Sequence, residues 1–390
     1  MRGKPDSLPP MFFAISVEDR IRRDHPLRPI KRMVDEALSK MGGAFDAAYS
    51  DNGRPSVPPE WLLKALLLQC LYSVRGETQL IERIDTDLLF RWFLGMDPAE
   101  PVFDQTVFTH NRPRLEANGI VALFFDGVVR RAINAGLCGD EHFSVDGTLI
   151  ESHASIKSFK HKDGSDDTRS GGAPGGGTSG GFKSRNAEVD FHGQKRSNAT
   201  HVSTTDPEAL LYKKGDGQAA RLYHTGHALT ENRHGLVMSV TVSASTGDAE
   251  PAAALEMVDA VRRNLGVGVK TLGSDKGYDS GPYMMELEER GVDPHTAMRS
   301  GVVGGAKSTS RRLCKNRPAI GARERMAERI GSEGYRISQR CRKKIEEAFG
   351  WIKTVAGLAR TRLVGRWKIL RQMQLAAAAY NLVRIRKLAA

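Results

Sequence analysis

Cysteine is scarce. The 390 residues hold four, Cys70, Cys138, Cys314 and Cys341, far apart and with no C-x-x-C pair. That excludes a disulfide framework and a Cys/His zinc site, and it fits free thiols in a reducing compartment. Long apolar runs are missing too. The longest, Trp61 to Tyr72, is interrupted by Lys64 and is too short to span a bilayer. Met1-Arg2-Gly3-Lys4-Pro5 leads into no apolar stretch of the kind a secretory signal needs. Together these absences predict a cytosolic chain with no membrane partner. Acidic residues are also in deficit, 46 against 58 Lys and Arg, for a net charge of +12. The deficit is local: from Lys307 to the end there are 22 Lys and Arg and 5 Asp and Glu. Nucleic acid explains so basic a quarter better than an ordinary solvated face does.

What is present begins with helices. Pro58-Pro59-Glu60 opens one that carries Trp61, Leu62, Ala65, Leu66 and Cys70, and Arg75-Gly76 ends it. A second pattern runs from Glu77 through Leu80, Ile84 and Leu88 to Phe93, closed by Gly95. Asp104 is a plausible N-cap for a short helix exposing Thr106, His110, Asn111, Arg112 and Arg114, with Pro113 ending or kinking it. Such a helix among tight turns suits either a helix-turn-helix-like DNA reader, with Arg112 and Arg114 on DNA, or a plain helical bundle. One more helix is expected over 121–135, which closes an N-terminal helical domain at about residue 137.

The pattern changes at Glu141. His142 to Ile150 is β-rich with Asp146 at its middle, and ionised carboxylates seldom sit inside a strand without a partner or a metal. The bland alternative is a turn aspartate before Gly147. Residues 155–204, Gly- and Ser-rich between 170 and 181, bury too little apolar surface to offset chain entropy and read as a flexible insertion. Basic residues Lys157, Lys160, Lys162, Lys183, Arg185, Lys195 and Arg196 flank its centre. Two strands follow, 222–232 and 236–245, joined by Arg233-His234-Gly235 as a hairpin, and with the Asp146 strand they form a three-stranded antiparallel unit. Asp248 and Glu250 open the next helix; acids are normal in a first turn, so both are assigned to capping. A short strand then delivers Asp275 at its C-terminal end, the edge where open α/β sheets place functional groups. Asp279 competes with it but stands where an N-cap belongs. Another short strand is expected over 292–298.

The last signal is Arg342 to Lys353. Ile345, Phe349 and Ile352 recur at helical spacing, while Arg342, Glu346 and Lys353 fall on a second stripe of the same helix. That stripe is either an intrahelical ion pair or a metal ligand flanked by phosphate-gripping cations. A final helix covers 367–386 within a C-terminal segment, 361–390, expected to pack on a catalytic domain of residues 138–360. The order of strands and helices, with acids on the first strand, after the fourth and on a late helix, is that of a ribonuclease H-like α/β fold: a mixed sheet flanked by helices. Three hard carboxylates suit Mg²⁺ or Mn²⁺, and two such ions suit in-line phosphoryl transfer.

Several blocks carry a family resemblance: Asp24-His25-Pro26-Leu27-Arg28, Gly53-Arg54-Pro55-Ser56, Arg91-Trp92-Phe93-Leu94-Gly95, Val145-Asp146-Gly147-Thr148, Thr205-Asp206-Pro207-Glu208-Ala209, Asp275-Lys276-Gly277-Tyr278 and Ile345 to Lys353. Together they resemble the insertion-sequence DDE transposases of the IS-five type over nearly the whole chain. The resemblance implies a metal-binding triad of Asp146, Asp275 and Glu346. It implies DNA contacts from Arg342 and Lys353, the basic positions of a Y-x2-R-x3-E-x6-K signature, and Lys276 is expected on DNA beside them. The signature tyrosine is Gln339 here, with Tyr335 one turn earlier. The partners implied are terminal inverted repeats, a target duplex and a second copy of the chain in a synaptic homodimer, at the nucleoid. The rival readings are a DNA-binding protein that has lost transposition and a structure-specific nuclease.

Overall fold

A computed structural model describes residues 16–50, 52, 56–163, 196–213, 215, 217–246, 249–299 and 317–389. Residues 53–55, Asp248, Cys314 and the basic residues Lys183, Arg185 and Lys195 lie outside the described residues. The chain divides into two compact units, Met1–Gln69 with Val74–Ile120, and Cys70–Ser73 with Val121–Ala390.

The first unit is helical: α1 (Val17–Arg20), α2 (Leu27–Ser39), α3 (Gly42–Ala48), most of α4 (Pro59–Leu71), α5 (Glu77–Thr86), α6 (Leu88–Leu94) and α7 (Thr106–Ala117). The single helix expected over 77–93 is two. Asp87 leaves helical backbone, and its carboxylate accepts the Leu89 N–H at 2.9 Å, so it caps α6 instead of continuing α5. In α7 Pro113 is accommodated, and the helix runs on to Ala117. Phe108 and Leu115, buried on either side of the proline, hold that helix against its neighbours.

The second unit is built on a sheet. Its strands are β1 (His142–Glu151), β2 (Phe159–His161), β3 (His201–Ser203), β4 (Leu210–Tyr212), β5 (Arg221–Glu231), β6 (Val237–Ala244), β7 (Thr271–Ser274) and β8 (Asp293–Thr296). The six-stranded sheet has the order β4-β5-β1-β7-β8, with β6 also paired to β5. β1 is antiparallel to β5, and β5 to β6, whereas β1–β7 and β7–β8 are parallel. Gly235, at φ +71°, turns the β5–β6 hairpin. The expected antiparallel unit and the mixed sheet are both present, in the ribonuclease H-like arrangement. The two ends of the stretch read as an insertion pair with each other as β2 and β3, and Phe159 packs with Ala209 and Leu222 beneath them. That small core supplies the apolar burial that composition alone did not reveal.

The helices of this unit are α8 (Ile120–Asn134), α9 (Ala249–Leu265), α10 (Gly281–Glu289), α11 (Arg317–Arg329), α12 (Glu333–Cys341), α13 (Lys344–Thr354) and α14 (Arg366–Leu388), and α9 to α14 pack on the sheet. Strand alternation separates its faces. A Cβ on Gly226 would meet Ile150 and Met373, which puts α14 on the face of Ile150 and therefore of Asp146. A Cβ on Gly147 would meet Glu250, so the start of α9 lies at the other face. Buried Ala376 to Ala379 bring α14 close, and the Asn381 side chain clips to the backbone of Val237 through bonds of 2.9 and 2.7 Å. Among the described residues no helix is long and apolar enough to cross a membrane.

Candidate active site

Asp146 stands in mid-β1, and one carboxylate oxygen accepts the N–H of Gly147 at 2.8 Å. Asp275 follows the last residue of β7, and its Oδ1 accepts the N–H of Gly277 at 2.7 Å as it caps a short turn, Lys276–Tyr278. Because β1 and β7 are parallel neighbours, the two aspartates come off the same sheet region. Glu346 is exposed in the first turn of α13. Asp146 feels all of these groups. Burial pushes its carboxyl up to about 6; the Gly147 N–H and Arg342 oppose that, while the negative charges of Asp275 and Glu346 add to it. The Arg342 guanidinium reaches Asp146 Oδ2 at 3.3 Å.

Arg342 does not belong to the helix of Glu346, as its spacing suggested. It is the C-terminal boundary residue of α12, and α13 starts two residues on. Bonds from Ile345 N to Arg342 O and from Glu346 N to Lys343 O, both 3.1 Å and of i to i+3 type, tighten the chain between the two helices. The junction still leaves Arg342 beside the acids. Ile345, Ala348, Phe349 and Ile352 form the buried stripe of α13, and Lys353 is half-buried in its last turn. Ser338 of α12 fits against Gly273 of β7, where a Cβ would stand 2.9 Å from its hydroxyl. Lys276 is exposed beside Asp275.

Several acids separate by their partners. Glu347 pairs with Arg384 of α14 at 3.0 Å. Asp279 is no helix cap: both its oxygens take the Arg323 guanidinium at 2.8 Å, and Ser280 holds the cap position of α10. Gln339, in the place of the signature tyrosine, donates its amide to Ser274 O at 3.3 Å and to His295 O, and so ties together the ends of β7 and β8 just before Asp275. Tyr335 packs edge-on to His295. The assignment of Glu250 to capping missed its surroundings. It lies in the first turn of α9 as expected, but its two oxygens abut Gly147 and Gly277, the glycines that follow the two aspartates.

In the first unit, Thr106, His110 and Arg114 of α7 are exposed, whereas Asn111 is buried and bonds Tyr49 Oη at 3.0 Å and Val107 O at 2.9 Å. Arg112 is half-buried and ion-paired with Glu77, and Arg114 lies over the Tyr49 ring, 5.3 Å from its centroid. Spacing gave Asn111 to the surface because neighbouring positions on a polar helix look alike until packing chooses the inward one.

As they stand, no three acidic, histidine or cysteine side chains among the described residues are close enough together to grip one ion. The donor chemistry nonetheless fits a hard divalent cation: three carboxylates, two with their planes set by backbone N–H groups and the third on an exposed side chain free to change rotamer.

Comparison with known proteins shows the family of the chain. Residues 15–114 match the family described as Transposase domain (DUF772), and residues 138–382 match that described as Transposase DDE domain. No curated protein matches the chain. Among solved structures it is similar to a piggyBac transposase synaptic complex with hairpin DNA, at 9% identity and a TM-score of 0.29, covering 94% of this chain and 82% of that one. It is also similar to the Mos1 mariner paired-end complex with Mn, at 12% identity and a TM-score of 0.20, covering 83% and 86%. With a mixed sheet of ribonuclease H-like order and the DDE match spanning more than half of its length, the chain belongs to the DDE transposases.

Proposed function

We propose that this transposase cuts and joins DNA at the terminal inverted repeats of an insertion sequence, by hydrolysis and then strand transfer from a 3′-OH, with no covalent protein intermediate. The observation that carries the reading is geometric: the parallel pairing of β1 with β7 brings Asp275 to the sheet region of Asp146, and Arg342, at the turn that leads into the helix of Glu346, reaches Asp146 Oδ2 at 3.3 Å. Asp146, Asp275 and Glu346 would hold Mg²⁺ or Mn²⁺, in a pair of ions. When bound, such ions polarise a phosphoryl oxygen and lower the pKa of a water or hydroxyl nucleophile.

The chain's own groups prepare the rest. The N–H groups of Gly147 and Gly277 fix the two aspartates, so little reorganisation is needed when substrate arrives. Arg342 balances Asp146 and stands where it can pass to a DNA phosphate. Lys353 and Lys276 extend the positive edge, and Arg112 and Arg114 of α7 are assigned to DNA contacts in the first unit. Gln339 secures the strand ends from which Asp275 projects. The synaptic assembly would be a homodimer holding two transposon ends and a target duplex.

An excision and strand-transfer assay with Mg²⁺ on repeat-bearing DNA tests this. Wild-type protein is expected to give joined product, and Glu346→Gln none. Binding without product by the wild type would leave a DNA-binding protein that no longer transposes. Equal cleavage of random duplex would leave a structure-specific nuclease.

A further inference from the structure

Glu250 occupies a place that helix capping does not explain. The position a Cβ would take on Gly147 is 2.9 Å from Glu250 Oε1, and the position a Cβ would take on Gly277 is 2.9 Å from Glu250 Oε2. Asp275 Oδ1 is also 2.9 Å from that second point, so the two carboxylates share the space over Gly277. Any side chain at either glycine would displace this carboxylate. Glycine at these two positions therefore opens a cradle for a carboxylate arriving from α9, across the sheet from the face of Asp146.

The groups around the cradle are short of bonding partners. His227 is fully buried and cross-strand from Gly147, and its Nδ1 stands 3.4 Å from the same Cβ point that Glu250 Oε1 approaches. The other ring nitrogen, Nε2, lies 2.7 Å from Ser243 Oγ, and Ser243 gives its hydroxyl hydrogen to Ala244 O at 3.1 Å. Donation from Nε2 to Ser243 Oγ, with the hydroxyl given to Ala244 O, leaves a lone pair on Nδ1. No described polar atom bonds that Nδ1. A carboxylate and an imidazole lone pair thus approach the same point over Gly147, and the buried Tyr278 hydroxyl beside Glu250 also has no bonding partner among the described residues. Such a point suits a cation and repels an anion. Burial, with the charges of Asp275 and Asp146, pushes the Glu250 carboxyl up, in keeping with negative charge crowded at one place.

We propose that Glu250 is a fourth carboxylate of the metal site, reaching it through the openings left by Gly147 and Gly277. The inference rests on the metal chemistry proposed above and adds a residue to it. Two ions about 3.5–4 Å apart make a site wide enough to take carboxylates from both faces of a sheet edge. Glu250 serves the ion on the Asp275 side, while Glu346 closes the site from α13.

The test is Mn²⁺ uptake by the full chain without DNA, read from the electron paramagnetic resonance of free Mn²⁺. Wild type, Glu250→Gln, Glu250→Asp, Glu346→Gln and Glu256→Gln are compared, with folding checked by circular dichroism. Glu250→Gln is expected to weaken uptake of one ion by about 10–100-fold, with Glu250→Asp intermediate and Glu256→Gln, exposed on the same helix, titrating as wild type. If wild type binds, Glu346→Gln loses an ion and Glu250→Gln titrates as wild type, this inference alone is overturned. If the wild type takes up no Mn²⁺, it falls together with the proposed metal chemistry. Should Glu250→Gln not fold, Glu250→Asp carries the same comparison.

Discussion

Asp206 and Asp146 belong to the same unit and to matching blocks of the same family, yet their surroundings are opposite. Asp206 is fully buried, and one of its oxygens receives the Ser152 hydroxyl at 2.7 Å and His224 Nε2 at 2.8 Å. Burial alone would raise its carboxyl, but those bonds more than offset it and hold the group below the usual range. Two residues on, Glu208 accepts the Arg366 N–H at 2.7 Å and pairs with its guanidinium, which anchors the start of α14. Asp146 has a raised carboxyl, acids for neighbours and one arginine to balance them. The first arrangement lowers the energy of the folded chain. The second raises it, as expected of the metal site proposed above. Partner chemistry, more than burial, separates Asp206 from Asp146.

The comparison can be broken most severely at Asp206. Asp206→Ala leaves His224 and Ser152 buried without their acceptor, and it is expected to cost about 3–5 kcal/mol, read as a lowered urea midpoint. Asp146→Asn should do the reverse. A carboxyl raised to about 6 in the folded state binds an extra proton there between pH 4 and 6, so stability falls as pH rises through that window and stays reduced above it. In EDTA the variant should be more stable than wild type at pH 7.5 by about 1–3 kcal/mol, with the difference gone by pH 4 and transposition lost. No gain at pH 7.5 would remove the contrast between the two aspartates.

His227 carries a third expectation with the opposite slope. Burial lowers its imidazole from the usual 6.5 to about 4, so the unfolded chain takes up the proton first and stability is lost as pH falls through that range. His227→Gln should flatten the acid limb of the stability curve by about 2 kcal/mol between pH 6.5 and 4. The smallest effect is expected at Glu347→Gln. Its partner Arg384 is an exposed-edge ion pair, so the change should stay within about 0.5 kcal/mol and leave strand transfer intact, against total loss for Glu346→Gln. Equal losses at the two neighbours would blur which acid of α13 faces the site.

Much of this was legible in the chain. The β-rich runs of β1, β5 and β6, the hairpin glycine and the buried stripe of α13 are local signals, set by side-chain propensity and period and by turn chemistry. So was the oddity of Asp146, a charge in mid-strand. Asp87 was not, because a helix-capping aspartate inside an apolar 3.6-residue pattern reads as a surface residue until the backbone breaks there. Nor was the end of α12 at Cys341, since the tightened turn after Arg342 barely disturbs the helical spacing.

By itself the sequence determined the central strands and several of the helices, that the chain carries a strongly basic C-terminal quarter, and that a few acids stand where strands end. Only the tertiary structure decided which acids meet. Asp275, Asp279, Glu250, Glu346 and Glu347 are alike as sequence, each near a helix start or a strand end. Packing gave Asp279 to Arg323 and Glu347 to Arg384, and it brought Glu250 against the two bare glycines beside Asp146 and Asp275. The reason is that a charge takes its role from partners far off in the chain, and those distances exist only once the sheet and its helices have closed.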